Sequence, residues 1–359
     1  MTYLDYQATT PLAPEALAAM LPWLEKQHAN PHSAHAEGRA ARAAVEVARD
    51  RVAALLPKGG TVSFTSGATE ALNWAIKGVG APVITLATEH AAVLDTVGAV
   101  GDATILPTGS DGLVDLNAAR IVIRPGVRLV AAMLVNNEIG VIQPIAELAA
   151  LAHEAGALVL CDAVQGYGRV PIPEECDLIS ISAHKIYGPK GVGALWIRDG
   201  VEIEPLLHGG GQEKAGRSGT LAPALCAGFG VAAALMAERA ESDAAQIEQL
   251  WSQAIDTLGQ GWIVNGAVDY RYHGNLNIRR DGLDVARLMS DLRDIALSAG
   301  SACASGSGRP SHVLRGIGLS DAEAKSSIRL GFGRYTTQGE LVEALIRIDA
   351  AARAQRVAA

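Results

Sequence analysis

Apolar residues along this chain gather into short unbroken runs separated by stretches of helical period. The runs cover residues 61–65, 83–86, 103–106, 128–135, 157–161, 178–182 and 193–197. Continuous rather than alternating runs of this length are expected of strands covered on both faces. Helical patterns cover residues 15–26, 38–56 and 145–155. Strands alternating with helices predict an α/β fold whose large domain has a mostly parallel central sheet flanked by helices. Beyond about residue 230 the texture changes. One long helix is expected from 231 to roughly 258, then runs at 262–265, 275–278, 295–298 and 328–331, with helices at 283–292 and 338–352. This second region predicts a smaller α+β domain. The expected division is a large domain over 15–250 and a small domain made from 1–14 and 251–359.

Composition narrows the class. The 359 residues are 49% hydrophobic and 19% charged, enough to bury a large core and still enclose a pocket. A net charge of −8 argues against nonspecific binding to nucleic acid, which needs basic surface. No apolar run approaches the roughly 18 residues of a membrane span, and no basic segment followed by an apolar one opens the chain. No membrane association and a cytoplasmic location are therefore expected. The four cysteines are scattered without a CxxC pair, so neither a zinc site nor a disulfide framework is indicated.

The strongest local signal is Ser182-Ala-His-Lys185-Ile-Tyr-Gly-Pro-Lys-Gly-Val-Gly193. Lys185 directly follows a buried strand, where strand ends open into a crevice. A lysine partly withdrawn from water there can form a Schiff base with an aldehyde. A lone lysine at a strand end is most often a solvated cap, so its neighbours decide. Asp162 closes another apolar strand, where a carboxylate is costly unless a cation such as a ring pyridinium faces it. Gln165 follows three residues later. In Phe64-Thr-Ser-Gly-Ala-Thr69-Glu70 a strand runs into a helix start, whose N–H groups suit a phosphate. Glu89-His90 follows the run 83–86 and offers an imidazole to stack on a flat ring. Each piece alone has an ordinary structural reading. Together they place a lysine, an acid, a phosphate cradle and a ring at the carboxyl ends of predicted strands.

Cys303 lies in Ser298-Ala-Gly-Ser-Ala-Cys-Ala-Ser-Gly-Ser-Gly308, a run of small residues expected to form an exposed loop. Cys161 and Cys226 have apolar neighbours and are expected in the core. Cys176 sits among acidic residues that would raise its pKa and make it a poor nucleophile. Arg329, in an expected small-domain strand, is suited to fork onto a carboxylate, and Arg334 competes for that role.

These motifs resemble those of the cysteine desulfurases, pyridoxal-phosphate enzymes of fold type I in the class V aminotransferase group. The likeness runs collinearly from Tyr3-Leu-Asp-Tyr-Gln-Ala-Thr-Thr-Pro11 through Val135-Asn-Asn137-Glu-Ile-Gly and Gly209-Gly-Gly-Gln-Glu213 to residues 326–337. It implies that Lys185 carries pyridoxal 5'-phosphate, Asp162 faces the ring nitrogen and His90 stacks on the ring and shares in catalysis. Asn137 and Gln165 would contact the ring hydroxyl, with Ala68, Thr69, Ser182 and His184 at the phosphate. Thr220 resembles a phosphate ligand given to the other subunit, which implies a homodimer. Arg329, with Asn137, would hold the carboxylate of L-cysteine. Cys303 would receive its sulfur as a persulfide while L-alanine leaves. The segment after Cys303 resembles the group supplying iron–sulfur assembly, which implies a scaffold or other acceptor protein. No intrinsic metal site is implied; transient ligation of an iron–sulfur unit through the Cys303 persulfide is. Gln212 departs from the histidine of many relatives, and the stretch between Gly78 and Val127 is compressed.

Selenocysteine lyase and aminotransferase chemistry would use the same cofactor. A mobile thiol favours sulfur transfer, since transamination needs none. Ser182-Ala-His-Lys185 also fits the S-x-x-K of some serine hydrolases, but their Lys-Thr-Gly and Ser-Asp-Asn partners are missing from the chain.

Overall fold

The computed structural model describes residues 1–214, 216–300 and 310–357. The first half runs β1 (Thr2–Tyr3), α1 (Pro14–Glu25), α2 (Ala36–Ala53), β2 (Gly60–Thr65), α3 (Ala68–Val79), β3 (Val83–Leu86), α4 (Ala91–Val100), β4 (Ala103–Leu106), α5 (Leu116–Val122), β5 (Leu129–Met133), α6 (Ile145–Glu154) and β6 (Leu158–Asp162). Then come β7 (Leu178–Ser182), β8 (Gly193–Arg198), α7 (Pro223–Glu238), α8 (Ala240–Leu258), β9 (Ile263–Val264), β10 (Asn275–Arg279), α9 (Val285–Asp291), β11 (Ile295–Ala296) and β12 (Ser298–Ala299). The described chain closes with α10 (His312–Gly316), α11 (Asp321–Lys325), β13 (Ser327–Gly331) and α12 (Gln338–Val357).

Seven strands form the central sheet in the order β2-β8-β7-β6-β5-β3-β4. The pairs β3–β4, β3–β5, β5–β6 and β6–β7 are parallel, while β8 runs antiparallel to both β7 and β2. Strand β2 therefore points the same way as β7, and the carboxyl ends of β2, β3, β5, β6 and β7 share one edge. After β4 the chain returns to the inner side of β3, so the order reverses between β3 and β5. A crevice opens at such a reversal in a doubly wound sheet.

Both faces of the sheet are covered. Val45, Ala48 and Val52 of α2, Leu148 and Ala152 of α6 and Phe229 and Ala233 of α7 join one core with Val130 and Ala132. Leu72, Ile76 and Val79 of α3 and Val93 and Val97 of α4 join the other with Leu129 and Ala131. Alternate residues of β5 thus serve opposite cores, which explains its unbroken apolar character. Strand β4 departs from that pattern. It is an edge strand, and Ala103, Thr104 and Ile105 are exposed.

A separate core holds Leu4, Ile247, Leu250 and Trp251 with Leu276, Ile278, Ile328, Leu330, Leu341 and Leu345. Beside it stands the sheet β12-β13-β10-β9. The single helix expected from 231 to 258 is two helices, broken at Arg239 with φ −105° and ψ 10°. The break lets α7 face the first core through Phe229 and Met236 while α8 faces the separate one through Ile247 and Leu250. The expected strand 295–298 also divides. Strand β11 pairs with β1, and β12 pairs with β13.

Candidate active site

A pocket of about 520 Å³ opens at the carboxyl edge of the central sheet. It is lined by Ala68, Thr69, His90, Asn137, Asp162, Gln165, Ser182, His184, Lys185 and Arg329, among others. The register explains the convergence. Met133 lies opposite Asp162, and Ser182 and Thr65 both lie opposite Gly193. The final residues of four strands therefore arrive side by side, and the loops beyond them supply the rest.

Lys185 ends a short 3-10 turn, Ala183–Lys185, just past β7. Its Nζ donates to the carbonyls of Gln7 at 2.6 Å and Ala8 at 2.8 Å. Arg169 donates to the Lys185 carbonyl from behind. Asp162 is buried, and among the described residues its carboxylate accepts from the Val164 N–H, at 3.0 Å. Burial pushes its pKa up to about 6, against the pull of that N–H and of the Lys185 charge. Glu89 is buried beside it and accepts from the Met133 N–H at 2.7 Å. Burial first, and then the charge of Asp162, raise the Glu89 carboxyl well above its ordinary range. Both carboxyls therefore hold a proton more readily than exposed ones would.

His90 caps helix α4, its Nδ1 accepting from the Ala92 N–H at 3.0 Å. With Nδ1 taken, the neutral ring carries its hydrogen on Nε2. Burial and the Lys185 charge hold its pKa below the ordinary value. His184 is pushed down to about 4 by burial and by Lys185 and Lys190, and its Nδ1 lies 3.1 Å from the Thr9 hydroxyl. Both imidazoles are thus neutral at pH 7.

Ala68 and Thr69 open helix α3, so their backbone N–H groups lie in its first turn and face the pocket end. Gly193 packs against this start so tightly that a Cβ there would lie 2.8 Å from the Gly67 Cα. Gln165 lines the floor and donates to the Gln7 carbonyl at 3.0 Å. Arg329 is almost wholly buried yet lines the pocket. Arg334 does not line it; Asp243 binds its guanidinium at 2.6 Å, and it stacks on the Tyr187 ring. Of the two arginines, Arg329 is the one that lines the pocket.

Thr220 is exposed and does not line this pocket. Cys303 lies outside the described residues. The ends flanking its segment are described: Ser298 donates to Asp5 at 2.8 Å, Ser311 donates to Glu138, and the His312 ring meets the Glu89 carbonyl at 2.8 Å. The other three cysteines are buried. Cys176 is therefore withheld from solvent by packing, which its acidic neighbours in sequence do not suggest. Among the described residues, no group of three or more His, Cys, Asp or Glu side chains is placed to hold a metal ion.

The sequence reading missed Gln7, Ala8 and the burial of Glu89. The first two act through backbone carbonyls, which carry no side-chain signature, and lie 178 and 177 residues from Lys185. Glu89 stands beside His90 and could have been suspected from the apolar strand before it.

The pocket fits pyridoxal phosphate. It offers a lysine amine, the buried Asp162 carboxylate, and the Asn137 Oδ1, which is buried without a hydrogen-bond partner among the described residues. A helix start lies at one end for the phosphate.

Comparison with known proteins agrees with this geometry. Residues 2–345 match the class-V aminotransferase family. The chain is 43% identical to the cysteine desulfurase IscS of Rickettsia bellii over 94% of its own length and 88% of that protein. It superimposes on a NifS-like protein from Rickettsia africae with a TM-score of 0.91 at 30% identity, covering 98% and 99% of the two chains. It also matches SspA in complex with cysteine, with a TM-score of 0.82 at 34% identity over 94% of this chain and all of the other. The chain belongs to the class-V aminotransferase family and, within it, to the pyridoxal-phosphate-dependent cysteine desulfurases.

Proposed function

We propose that this protein converts L-cysteine to L-alanine and takes the released sulfur onto Cys303 as a persulfide. The observation that carries the reading is that Lys185, Asp162 and Arg329 line a single pocket. An amine, a buried acid and a buried guanidinium there suit an amino-acid substrate held at its α-carbon. Pyridoxal phosphate, when bound, would supply an electron sink for the α-carbon of that substrate.

The chain's own residues divide the remaining work. Asp162 would face the ring nitrogen and keep it protonated. Asn137 and Gln165 would hold the ring edge, while Ala68, Thr69, Ser182 and His184 would hold the phosphate. Arg329 and Asn137 would orient the substrate carboxylate. Lys185, once displaced, has the Gln7 and Ala8 carbonyls to hold its amine while it moves a proton at the α-carbon. His90, neutral and carrying its hydrogen on Nε2, would steer the substrate thiol. Cys303 attacks the substrate sulfur, the carbon–sulfur bond breaks, and a proton returned to the carbon completes alanine.

The same reading includes a cytoplasmic homodimer in which the exposed Thr220 reaches the partner's phosphate site. It also includes an acceptor protein, an iron–sulfur scaffold or another, for the Cys303 persulfide. The division into a large unit over 15–250 and a small unit of 1–14 and 251–359 belongs to this reading too. Absorbance spectra of the purified protein before and after L-cysteine, with alanine and sulfide measured under a dithiol, test it. Equal yields of alanine and sulfide are expected. A colourless protein that pyridoxal phosphate cannot reconstitute, or a keto acid in place of alanine, would refute it.

A further inference from the structure

The N-terminal segment reaches both ends of the pocket. Its Gln7 and Ala8 carbonyls hold the Lys185 amine. Two residues before Gln7, the Asp5 Oδ1 accepts from the Arg329 Nη2 at 2.8 Å and from the Ser298 hydroxyl at 2.8 Å. The same Nη2 lies 3.2 Å from the Ser298 oxygen, and the Arg329 Nη1 donates to the Asn137 carbonyl at 3.0 Å. Three distant parts of the chain therefore grip one guanidinium. The strand register supports the arrangement, because Ser298 lies directly opposite Arg329 and Asp5 bridges to Gly331.

A guanidinium forks onto a carboxylate only when its plane is correctly turned. Arg329 has a long side chain, and its strand fixes only the Cα. Asp5 accepts from the outer nitrogen and Asn137 from the other, which together set the plane. Asp5 also bonds to Ser298, three residues before the segment 301–309, so the plane is tied to the root of the stretch that carries Cys303. Sequence patterns do not expose this link, since Asp5 and Arg329 are 324 positions apart.

We propose that Asp5 is a positioning residue for substrate recognition, fixing the Arg329 guanidinium so that it receives the α-carboxylate of the amino acid. The inference rests on the reading of Arg329 as the carboxylate anchor, and the test separates the two. Asp5 also brings a negative charge near the incoming carboxylate. If that charge outweighed the orientation, removing it would tighten binding, so the direction of the change decides.

The experiment uses the cofactor-loaded enzyme and follows the cofactor absorbance during titration with L-alanine and with ethylamine, which lacks only the carboxylate. Asp5→Ala is expected to weaken L-alanine by about 10-fold or more, the range for one charge-assisted hydrogen bond, and to leave ethylamine unchanged. Asp5→Asn keeps an acceptor oxygen and should give a smaller loss of the same selectivity. Ser298→Ala, which removes the second contact on Asp5, gives an independent reading should Asp5→Ala fold poorly, and should also weaken L-alanine alone. Tighter or unchanged L-alanine binding in the Asp5 variants overturns the proposal. Equal weakening of both ligands overturns it too, since that is the mark of a general structural defect. Arg329→Gln serves as the separate check. If it leaves the L-alanine to ethylamine ratio unchanged, the anchor reading fails; if it alters the ratio and Asp5→Ala does not, only the positioning role fails.

Discussion

Replacing Asp162 by Asn is expected to stabilise the cofactor-free protein at neutral pH and to cripple the loaded one. In the absence of cofactor the buried carboxyl has its pKa pushed from 3.8 to about 6, with burial the largest cause. Each pKa unit corresponds to about 1.4 kcal/mol, so a shift of about two units is worth about 3 kcal/mol. The folded carboxyl holds its proton more tightly than the unfolded one. The folded state therefore carries the extra proton between about pH 4 and pH 6, and stability falls as pH rises through that window and levels off above about pH 7. Asn has no proton to lose, and its oxygen can still accept from the Val164 N–H. Urea unfolding of the two cofactor-free proteins should show an advantage for Asp162→Asn that grows from acid pH to about 3 kcal/mol at pH 7.5. With pyridoxal phosphate bound, that advantage should shrink by about 1.4 kcal/mol for each 10-fold loss of cofactor affinity. A charge-assisted contact to the ring is lost, and cofactor affinity should fall about 10-fold or more. A cofactor-free variant no more stable than the parent at pH 7.5, or an advantage independent of pH, would refute the claim that burial sets the Asp162 pKa.

Three further outcomes follow from the site. Lys185→Ala removes the amine held by Gln7 and Ala8, so the spectrum of lysine-bound cofactor and all turnover should vanish; residual alanine formation at a measurable rate would count against its role. Cys303→Ala should keep the bound chromophore and lose sulfide release under a dithiol, and a normal rate of sulfide release would remove Cys303 as carrier. Gly193→Ala would put a Cβ 2.6 Å from the Ile181 carbonyl oxygen and 2.8 Å from the Gly67 Cα. That crowding, costing about 1–3 kcal/mol, should displace the helix start and weaken pyridoxal phosphate about 10-fold in an equilibrium titration, where unchanged affinity would show the cradle to be pliant.

Much of this protein could be read from its sequence because the relevant signals are local. Apolar runs marked β3, β5, β6 and β8, since a strand covered on both faces admits few polar residues, while β2 and β7 interleave Thr or Ser with their apolar residues. Lys185, Asp162, His90 and Thr69 each stand within a few residues of such a strand end, so alternation of strand and helix placed them on one edge. What the sequence withheld depends on contacts between distant segments. The break at Arg239 exists because two cores in different places claim successive helices. Arg329 was distinguished from Arg334 by which carboxylate reaches it: Asp243 binds Arg334 outside the pocket, while Asp5 holds Arg329 in it. The carbonyls of Gln7 and Ala8 hold the lysine only because the N-terminal segment folds back across the mouth of β7. Local pattern determines which atoms carry the chemistry, and tertiary packing determines which of them meet, because burial and hydrogen-bond geometry are properties of pairs rather than of positions.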